Sequence, residues 1–322
     1  MPKLIFDTAV GSYNLGDHII MDAVNQLAEE LFPNDFLIQI PTHQWIHPLD
    51  LPALRKYDFA LVGGTNLLKN DNLRYSQWKV GVKEVAVLRK KVILFGVGWW
   101  QYQEQPITGY SKFLYQNLLS DQYVHSVRDG YTAEKLASIG VRNVLNTGCP
   151  TVWELTDQHC AQINPAKQPV VVTTITDYKR DAINDRKMLE TLKANYEEVH
   201  LWLQGTKDEE YIRQLCDGIQ FIAPNLSAFD RFLEQRDCDY VGTRLHAGIR
   251  AMQKKRRSLI IGIDNRAIEM RRDINLHVLE REQMDRLASI IHEEKPIELN
   301  IDFNSIQQWK AQFGNLAIDK TL

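Results

Sequence analysis

Short apolar segments alternate with amphipathic helical segments along the whole chain, and this alternation limits the possible fold more than any other feature. In the first half the apolar segments are rich in β-branched or aromatic residues, which is typical of buried strands. Strands that alternate with helices pair in parallel, so the pattern predicts an α/β fold with helices on both faces of the sheets. The predicted strands of this half are residues 4–7, 36–40, 59–63, 92–97, 123–127 and 143–146.

The same alternation starts again after a polar, proline-containing stretch at 156–169. A chain of 322 residues with 44% hydrophobic residues is also long enough for two domains. We therefore predict two Rossmann-like domains facing a central cleft, residues 1–160 and 161–322, with the last helix, about 304–316, as a candidate to pack back on the first domain. The second series of predicted strands is 170–175, 199–203, 220–223, 239–242, 258–263 and 275–279, and its helices include 185–196, 207–216 and 226–236.

Charge and cysteine usage restrict the class of protein. The formal net charge is −3 and charged residues make up 25% of the chain, which does not indicate a nucleic-acid partner. The four cysteines are scattered without a CxxC pair or a preceding signal peptide, which favours reduced thiols and a cytoplasmic protein. No apolar run approaches the roughly 20 residues of a spanning helix, which leaves peripheral contact with the inner face of a membrane open.

Ligands of parallel α/β sheets bind at the carboxyl ends of the strands, so the turns after the strands are the candidate site. In "GSYNLGDH" (11–18), Asn14 and Gly16 are predicted to shape a ligand loop. Asp17 either orients a substrate hydroxyl or only caps the first helix, because aspartate is a preferred N-cap residue. The stretch does not match GxGxxG, so a dinucleotide is not indicated.

Two further turns carry glycines. Gly64 and Thr65 follow the strand at 59–63, and Gly98 follows the strand at 92–97 and precedes a group of aromatic residues. All three are candidate substrate-binding residues. The alternatives are a plain tight turn for the first and core packing for the aromatic residues of the second.

Basic residues follow two other predicted strands. Arg128 could bind a carboxylate or phosphate bidentately, or simply pair with Asp129. Arg244 and His246 lie where a strand meets the start of a helix, so an anion would find a guanidinium, backbone amides and a titratable imidazole together. The alternative for His246 is an ordinary hydrogen-bonded histidine.

Several of these segments together resemble the polysaccharide pyruvyl transferase family. The segments are "NLGDHIIMDAV" (14–24), "LVGGTNLL" (61–68), "FGVGW" (95–99), "VRDGYTAEKLASIGV" (127–141), "GCPTVWEL" (148–155) and "GTRLHAGIRAM" (242–252). The resemblance implies a glycosyltransferase-B-like fold and transfer of a pyruvyl group from phosphoenolpyruvate to two hydroxyls of a sugar, forming a cyclic ketal. It makes Arg244, Leu245 and His246 the phosphoenolpyruvate and catalytic segment, and Arg128 a further anion ligand. The chain departs from the family pattern at Thr65, where many members have a third glycine.

The implied chemistry defines roles. Phosphoenolpyruvate carries a phosphate and a carboxylate, so at least two cationic contacts are expected, and Arg244, Arg128 and Arg266 are the candidates. His246 is predicted to transfer a proton, and Asp17 to orient the acceptor. The acceptor is expected to be a sugar or a lipid-linked oligosaccharide. No cofactor beyond phosphoenolpyruvate as co-substrate is expected, and the sequence indicates no particular oligomeric state.

Three other motifs are interpreted as structural. "DCD" (237–239) imitates an Asp-x-Asp metal site but precedes its strand, at the wrong end of the sheet for a ligand. "HQWIH" (43–47) lacks a third zinc ligand, so no metal site is predicted. "KKRR" (254–257) could contact anionic lipid, but a solvated run near a helix C-terminus needs no such role.

Two functions of other classes stay open. One is a glycosyltransferase that uses a nucleotide-sugar on the same fold, for which Glu269 is the nearest candidate ribose-binding acid. The other is a non-catalytic glycan-binding protein.

Overall fold

The computed structural model describes residues 2–314, which form two compact units. The first unit contains residues 2–12, Ile20–Trp153 and residues 301–314, and the second contains Tyr13–Ile19 and Glu154–Asn300. The chain therefore enters the second unit twice, once briefly at the start of the first helix. The long segment of the second unit begins at Glu154, seven residues before the predicted start of the second domain at residue 161.

The first unit is built on parallel strands. Four of them pair in the order β2-β1-β3-β4, and β5 pairs with β6. Backbone bonds from β4 to β5, such as Gly96 N to Ser126 O at 3.0 Å, bring the two groups side by side. The strands are β1 (Lys3–Asp7), β2 (Leu37–Pro41), β3 (Ala60–Gly63), β4 (Val92–Phe95), β5 (His125–Val127) and β6 (Val144–Asn146), and the helices are α1 (Leu15–Leu31), α2 (Val82–Leu88), α3 (Gly109–Leu118) and α4 (Gly130–Ser138).

The second unit is built on one sheet of six parallel strands in the order β12-β11-β10-β7-β8-β9. Its strands are β7 (Val170–Thr173), β8 (Glu198–Trp202), β9 (Gln220–Ile222), β10 (Cys238–Gly242), β11 (Ser258–Gly262) and β12 (Val278–Glu280). Its helices are α5 (Asp157–Cys160), α6 (Ala182–Asn195), α7 (Asp208–Leu215), α8 (Leu226–Gln235), α9 (Leu245–Gln253), α10 (Asn265–Ile274) and α11 (Leu287–Ile291). Apolar residues of β7, β8, β10 and β11 pack on α6, α7 and α11 to form its core.

Helix α12 (Phe303–Ala311) returns to the first unit and completes an aromatic cluster there. Trp309 is fully buried, with its ring centroid 4.5 Å from that of Phe95 and 5.7 Å from that of Trp153. Phe313 packs against Phe32 and Phe59 in the same cluster. The last two residues of the helix predicted at 304–316 lie outside the described residues.

Each strand expected from the sequence is present, with its ends at most three residues from the expected positions. Helix α1 begins at Leu15, so the prediction that Asp17 caps it at the N-cap position is wrong. Asn14 lies before the first turn, and its Oδ1 accepts from the backbone N–H of Gly16 at 3.2 Å. The stretch 43–47 is not helical.

None of the helices within residues 2–314 is long and apolar enough to cross a membrane. The same residues contain no group of three or more His, Cys, Asp or Glu side chains that could hold a metal ion.

Candidate functional site

The carboxyl ends of β7 and β10 form the natural ligand position of the second unit. The chain runs from β7 to β8 and β9 on one side, then crosses back to place β10 on the other side of β7, and crevices form where strand order reverses in this way. Hydroxyl groups join the two strand ends: Thr176 Oγ1 lies 2.8 Å from Thr243 Oγ1. Arg244 and the start of α9 follow directly.

Arg244 is held at this edge by two carboxylates and a carbonyl. Its side chain is 3% exposed, its Nε donates to Ile175 O at 3.0 Å, and its Nη2 donates to Asp177 Oδ1 at 3.0 Å and to Asp208 Oδ1. Its guanidinium also lies over the Tyr178 ring, 5.1 Å from the centroid. Arg244 was predicted as a site residue, but its partners Asp177 and Asp208 were not.

Asp208 connects the separate segments of this site. Besides Arg244, its carboxylate accepts from the backbone N–H groups of Gly205 at 2.7 Å and Asp177 at 3.2 Å. Asp208 is fully buried, and burial raises the pKa of its carboxyl although the Arg244 guanidinium opposes the shift. Removing its charge would therefore loosen three chain segments at once.

Arg266 lies at the end of β11 and shares Tyr178 with Arg244. Its guanidinium forms a fork on the carboxylate of Asp264, with Nε 3.0 Å from Oδ2, and its Nη2 donates to the Tyr178 hydroxyl. Tyr178 contacts both arginines, which follow the neighbouring strands β10 and β11. Because Tyr178 is largely exposed, this contact lies at the rim of the site. With Asp177, Asp208 and Asp264 ionised, three carboxylates balance these two guanidinium groups.

Leu245 and His246 are the first two residues of α9, and both are buried. The start of this helix is fixed by Tyr240, whose hydroxyl donates to Arg244 O at 2.7 Å. A Cβ on Gly248 would lie 2.6 Å from the Ile260 side chain, so the helix packs too closely on the sheet for a larger residue. The imidazole of His246 is thereby placed at the positive end of a firmly seated helix.

Asn14, Gly16 and Asp17 belong to the second unit although they lie near the start of the sequence. Gln204, which follows β8, donates from Nε2 to Asn14 Oδ1 at 2.8 Å and accepts from Leu15 N at 2.9 Å. A Cβ on Gly16 would lie 2.8 Å from Gln204 Nε2, which explains the glycine. Asp17 is buried in the first turn of α1. Gln204 could not be predicted as a site residue, because no residue near it in the sequence indicates that it contacts Asn14.

Arg128 is the corresponding arginine of the first unit, at the end of β5. Its guanidinium is 1% exposed, and Nε and Nη2 donate to Asp129 Oδ2 at 3.0 and 2.8 Å, while Nη1 donates to Asn66 Oδ1 at 2.5 Å. A Cβ on Gly98 would lie 2.3 Å from Cζ of this guanidinium. The ion pair with Asp129, the structural alternative of the sequence analysis, is present. A direct contact of Arg128 with an anionic substrate stays a prediction.

Gly64 and Thr65 make the tight turn after β3. Both have positive φ values, +48° and +54°, and a Cβ on Gly64 would lie 2.0 Å from the Ile20 side chain. Threonine is β-branched and rarely adopts this conformation, so Thr65 carries backbone strain at a position where the family pattern has glycine. Thr65 O accepts from Gly98 N at 2.8 Å, which ties this turn to the one that covers Arg128.

The motifs interpreted as structural have partners within the fold. Asp239 of "DCD" is buried and pairs with Arg257 of "KKRR", and Asp237 pairs with Arg256. His43 Nδ1 lies 3.1 Å from Gln77 O. Within the fold, both aspartates of "DCD" therefore pair with arginines of "KKRR".

Comparison with known proteins identifies the family. A sequence model described as "Polysaccharide pyruvyl transferase" matches residues 14–265, which include the turn at Arg244 and the loop at Asn14. The chain belongs to this family. It is therefore a transferase, and the fold and family predicted from the sequence are confirmed. A search of curated protein sequences finds no match.

Solved structures show where else this fold occurs. The chain resembles S. aureus MnaA, in a structure with UDP, with a TM-score of 0.56 and 13% identity over 98% of this chain and 97% of that one. It also resembles the UDP-GlcNAc 2-epimerase of Methanocaldococcus jannaschii, with a TM-score of 0.53 and 10% identity over 97% and 99% of the two chains. A third similar structure is a putative UDP-N-acetylglucosamine 2-epimerase of Listeria monocytogenes, with a TM-score of 0.52 and 10% identity over 99% of this chain and 96% of that one. At these identities the similarity concerns the fold alone.

One residue bears on the nucleotide-sugar alternative for this pyruvyl transferase. Glu269, the candidate ribose-binding acid, is buried within α10, and its Oε2 pairs with Arg272 at 2.5 Å. A carboxylate that is only 2% exposed offers a ribose hydroxyl little access, so the position does not favour a nucleotide-sugar donor.

Proposed function

We propose that this protein transfers the pyruvyl group of phosphoenolpyruvate to two hydroxyls of a sugar in a surface polysaccharide or its lipid-linked precursor, forming a cyclic ketal. The observation that carries the proposal is the placement of Arg244, Leu245 and His246 at the start of α9, beside the point where strand order reverses. Family membership supports the same reaction.

Arg244 and Arg266 are the proposed contacts for the phosphate and carboxylate of the donor. They lie at neighbouring strand ends around Tyr178, and the N-terminus of α9 adds positive potential. Their charges are balanced by carboxylates before any substrate arrives. Asp177 is the most exposed of these carboxylates, at 18%, so the anionic donor would compete with Asp177 for Arg244 Nη2.

The proposed reaction joins both acceptor oxygens to one carbon. One hydroxyl oxygen adds to C2 of the enol and gives up its proton, and C3 takes up one proton to become a methyl group, so the protons of this step balance. The second hydroxyl oxygen then displaces phosphate from C2 and loses its own proton, which leaves with the phosphate. We assign one of the proton transfers to His246 and the orientation of the acceptor to Asp17, both of which belong to the second unit. Neither step uses a cofactor other than the co-substrate.

The proposed partners follow from this chemistry. They are phosphoenolpyruvate and a sugar or lipid-linked oligosaccharide, and both would be met in the cytoplasm, with peripheral contact at the inner face of the membrane if the acceptor carries a lipid. A nucleic-acid partner is not part of the proposal.

Phosphate release tests the proposal directly. The full chain, supplied with phosphoenolpyruvate and a panel of sugar acceptors, should release inorganic phosphate and yield a ketal-bearing product by mass spectrometry. His246→Ala should lower the rate about 10²–10⁴-fold, because it removes a proton-transfer group. His292→Ala is the matched control, since His292 is exposed and its imidazole bonds only Asn195 among the described residues. Unchanged turnover in His246→Ala would contradict the assigned role.

Donor identity can be tested separately. Thermal-shift measurements should show stabilisation by phosphoenolpyruvate that Arg244→Ala abolishes. Stabilisation only by nucleotide-sugars would replace this proposal with the glycosyltransferase alternative.

A further inference from the structure

A lysine and two aromatic rings form a separate cluster at the carboxyl edge of the first unit's sheet. Lys69 follows the turn after β3, and Trp100 follows the turn after β4. The Lys69 Nζ lies 4.9 Å from the centroid of the Trp100 ring and 5.2 Å from that of the Tyr75 ring. Lys69, Tyr75 and Trp100 are called the lysine–aromatic site below.

Backbone bonds hold the two turns that form this site. Leu68 N donates to Gly98 O at 3.2 Å, and Trp100 N donates to Leu68 O at 2.7 Å, as in a short parallel ladder. Lys69 N donates to the buried Tyr115 hydroxyl at 2.8 Å. The backbone at Lys69 and Trp100 is therefore held in place before any ligand binds, which lowers the entropy lost on binding.

No carboxylate of the described residues forms an ion pair with the Lys69 amine. Its side chain is 8% exposed, and no ion pair or hydrogen bond of its Nζ is found within residues 2–314. The acid nearest in sequence, Asp71, pairs with Arg74 at 3.5 Å. Burial lowers the pKa of the Lys69 ammonium, while Asp71 opposes the shift. A second cation, Lys79, lies 5.5 Å from the centroid of the same Tyr75 ring.

Both rings of the lysine–aromatic site reach the surface. Tyr75 is 55% exposed and Trp100 is half-buried, so both present part of their surface to solvent. Aromatic faces pack well against the apolar faces of sugar rings, and a lysine amine is a compact point charge that binds carboxylate or phosphate. A neutral sugar would use the rings but would bring no anion to the Lys69 amine, which in residues 2–314 contacts only the two rings. An anionic group on the sugar would satisfy both.

We propose that the lysine–aromatic site binds the acceptor glycan at a sugar residue that carries a carboxylate or phosphate. That this glycan is an acceptor rests on the proposed function, whereas the binding does not. The anionic group contacts the Lys69 amine, and the sugar ring packs on Trp100 and Tyr75.

Calorimetry on the full chain without phosphoenolpyruvate tests the binding. The probes are an oligosaccharide that contains glucuronic acid, its carboxyl-reduced neutral counterpart and a hexose phosphate. The acidic oligosaccharide should bind about tenfold more tightly than the reduced one, and the hexose phosphate should show whether phosphate serves as well. Lys69→Met should remove the difference, and Trp100→Ala should weaken both oligosaccharides about tenfold. Lys56→Met is the matched control, because Lys56 lies over the Tyr57 ring elsewhere in the same unit.

A second measurement needs no variant. Acylation of wild-type lysines, read by mass spectrometry, should show that the acidic oligosaccharide protects Lys69 but not Lys56. Equal affinity for the acidic and reduced oligosaccharides, or unchanged labelling of Lys69, would overturn the inference. Selective binding without any phosphate release would contradict the proposed function alone, and turnover without protection of Lys69 would contradict this inference alone.

Discussion

Arg128 and Arg244 occupy equivalent positions in the two units, each just after a parallel strand and at the start of a helix, but their surroundings differ. Arg128 pairs with one carboxylate, that of the adjacent residue Asp129, and is covered by Gly98. Arg244 pairs with two carboxylates from separate loops and lies under an exposed tyrosine. One arginine is enclosed by its own turn, whereas the other joins three segments at a rim that solvent reaches.

This difference separates structural from functional use of the same residue type. An enclosed ion pair contributes to the shape of the first unit and offers an arriving anion little access. The pair of carboxylates around Arg244 allows one of them to be exchanged for a substrate anion while the other still balances the buried charge. We therefore expect changes near Arg128 to act on stability, and changes near Arg244 to act on both stability and donor binding.

The largest expected effect is that of Asp129→Asn. It removes the carboxylate that pairs with the buried Arg128 guanidinium and weakens the N-cap of α4, where Asp129 Oδ1 accepts from Thr132 N at 2.8 Å. The free energy of unfolding should fall by about 3–5 kcal/mol, measured by urea unfolding with tryptophan fluorescence. A loss below about 1 kcal/mol would mean that Asn66 alone can satisfy Arg128.

Asp208→Asn should cost less, about 1.5–3 kcal/mol in the same experiment. The substitution removes a buried charge and weakens hydrogen bonds, but Asp177 still balances Arg244. If Asp208→Asn lowered the free energy of unfolding as much as Asp129→Asn, then Asp177 would not compensate for the lost charge beside Arg244. The two arginines would then not differ in this respect.

Thr65→Gly should stabilise the protein by about 1 kcal/mol. The change relieves the positive φ of a β-branched residue, and the relief should exceed the added flexibility of the unfolded chain. Gly64→Ala is the opposite control and should destabilise, because its Cβ would collide with Ile20. Chemical unfolding gives the free energy of unfolding of both variants. A destabilised Thr65→Gly would indicate that the threonine hydroxyl has a role of its own.

Asp177→Asn is expected to have the smallest effect, and the direction in which it changes the KM for phosphoenolpyruvate is informative. It removes a partly exposed negative charge beside Arg244, so the KM for phosphoenolpyruvate should fall by about threefold, while stability changes by less than about 1 kcal/mol. Steady-state phosphate release measures KM and kcat. A raised KM would show instead that Asp177 holds Arg244 in its binding position.

The fold could be predicted because its signal is local. Each buried strand is a short apolar run, and helices such as α4 end at a glycine, so the alternation is visible without any tertiary contact. An N-cap at Asp17 places the start of α1 three residues too late, because Asn14 and Asp17 are both suitable caps and only the backbone geometry separates them.

The site could be predicted only where partners are neighbours in sequence. The Arg128–Asp129 pair involves adjacent residues, so it could be weighed in advance. The partners of Arg244 lie 67 and 36 positions away, and a single sequence carries no signal for such a pairing. Lys69 was missed for the same reason, although a lysine just after "NLL" and a Trp-Trp pair just after "FGVG" marked two adjacent strand ends.

The return of α12 to the first unit has a consequence for synthesis on the ribosome. The cluster around Phe95 and Trp153 has no Trp309 to cover it until the second unit's long segment has been translated. Domains commonly fold in the order in which they are made, but here the unit that starts first must finish last. During that interval its aromatic surface is open to chaperones and to aggregation, so Trp309→Ala should reduce the yield of soluble protein even though it lies outside the candidate site.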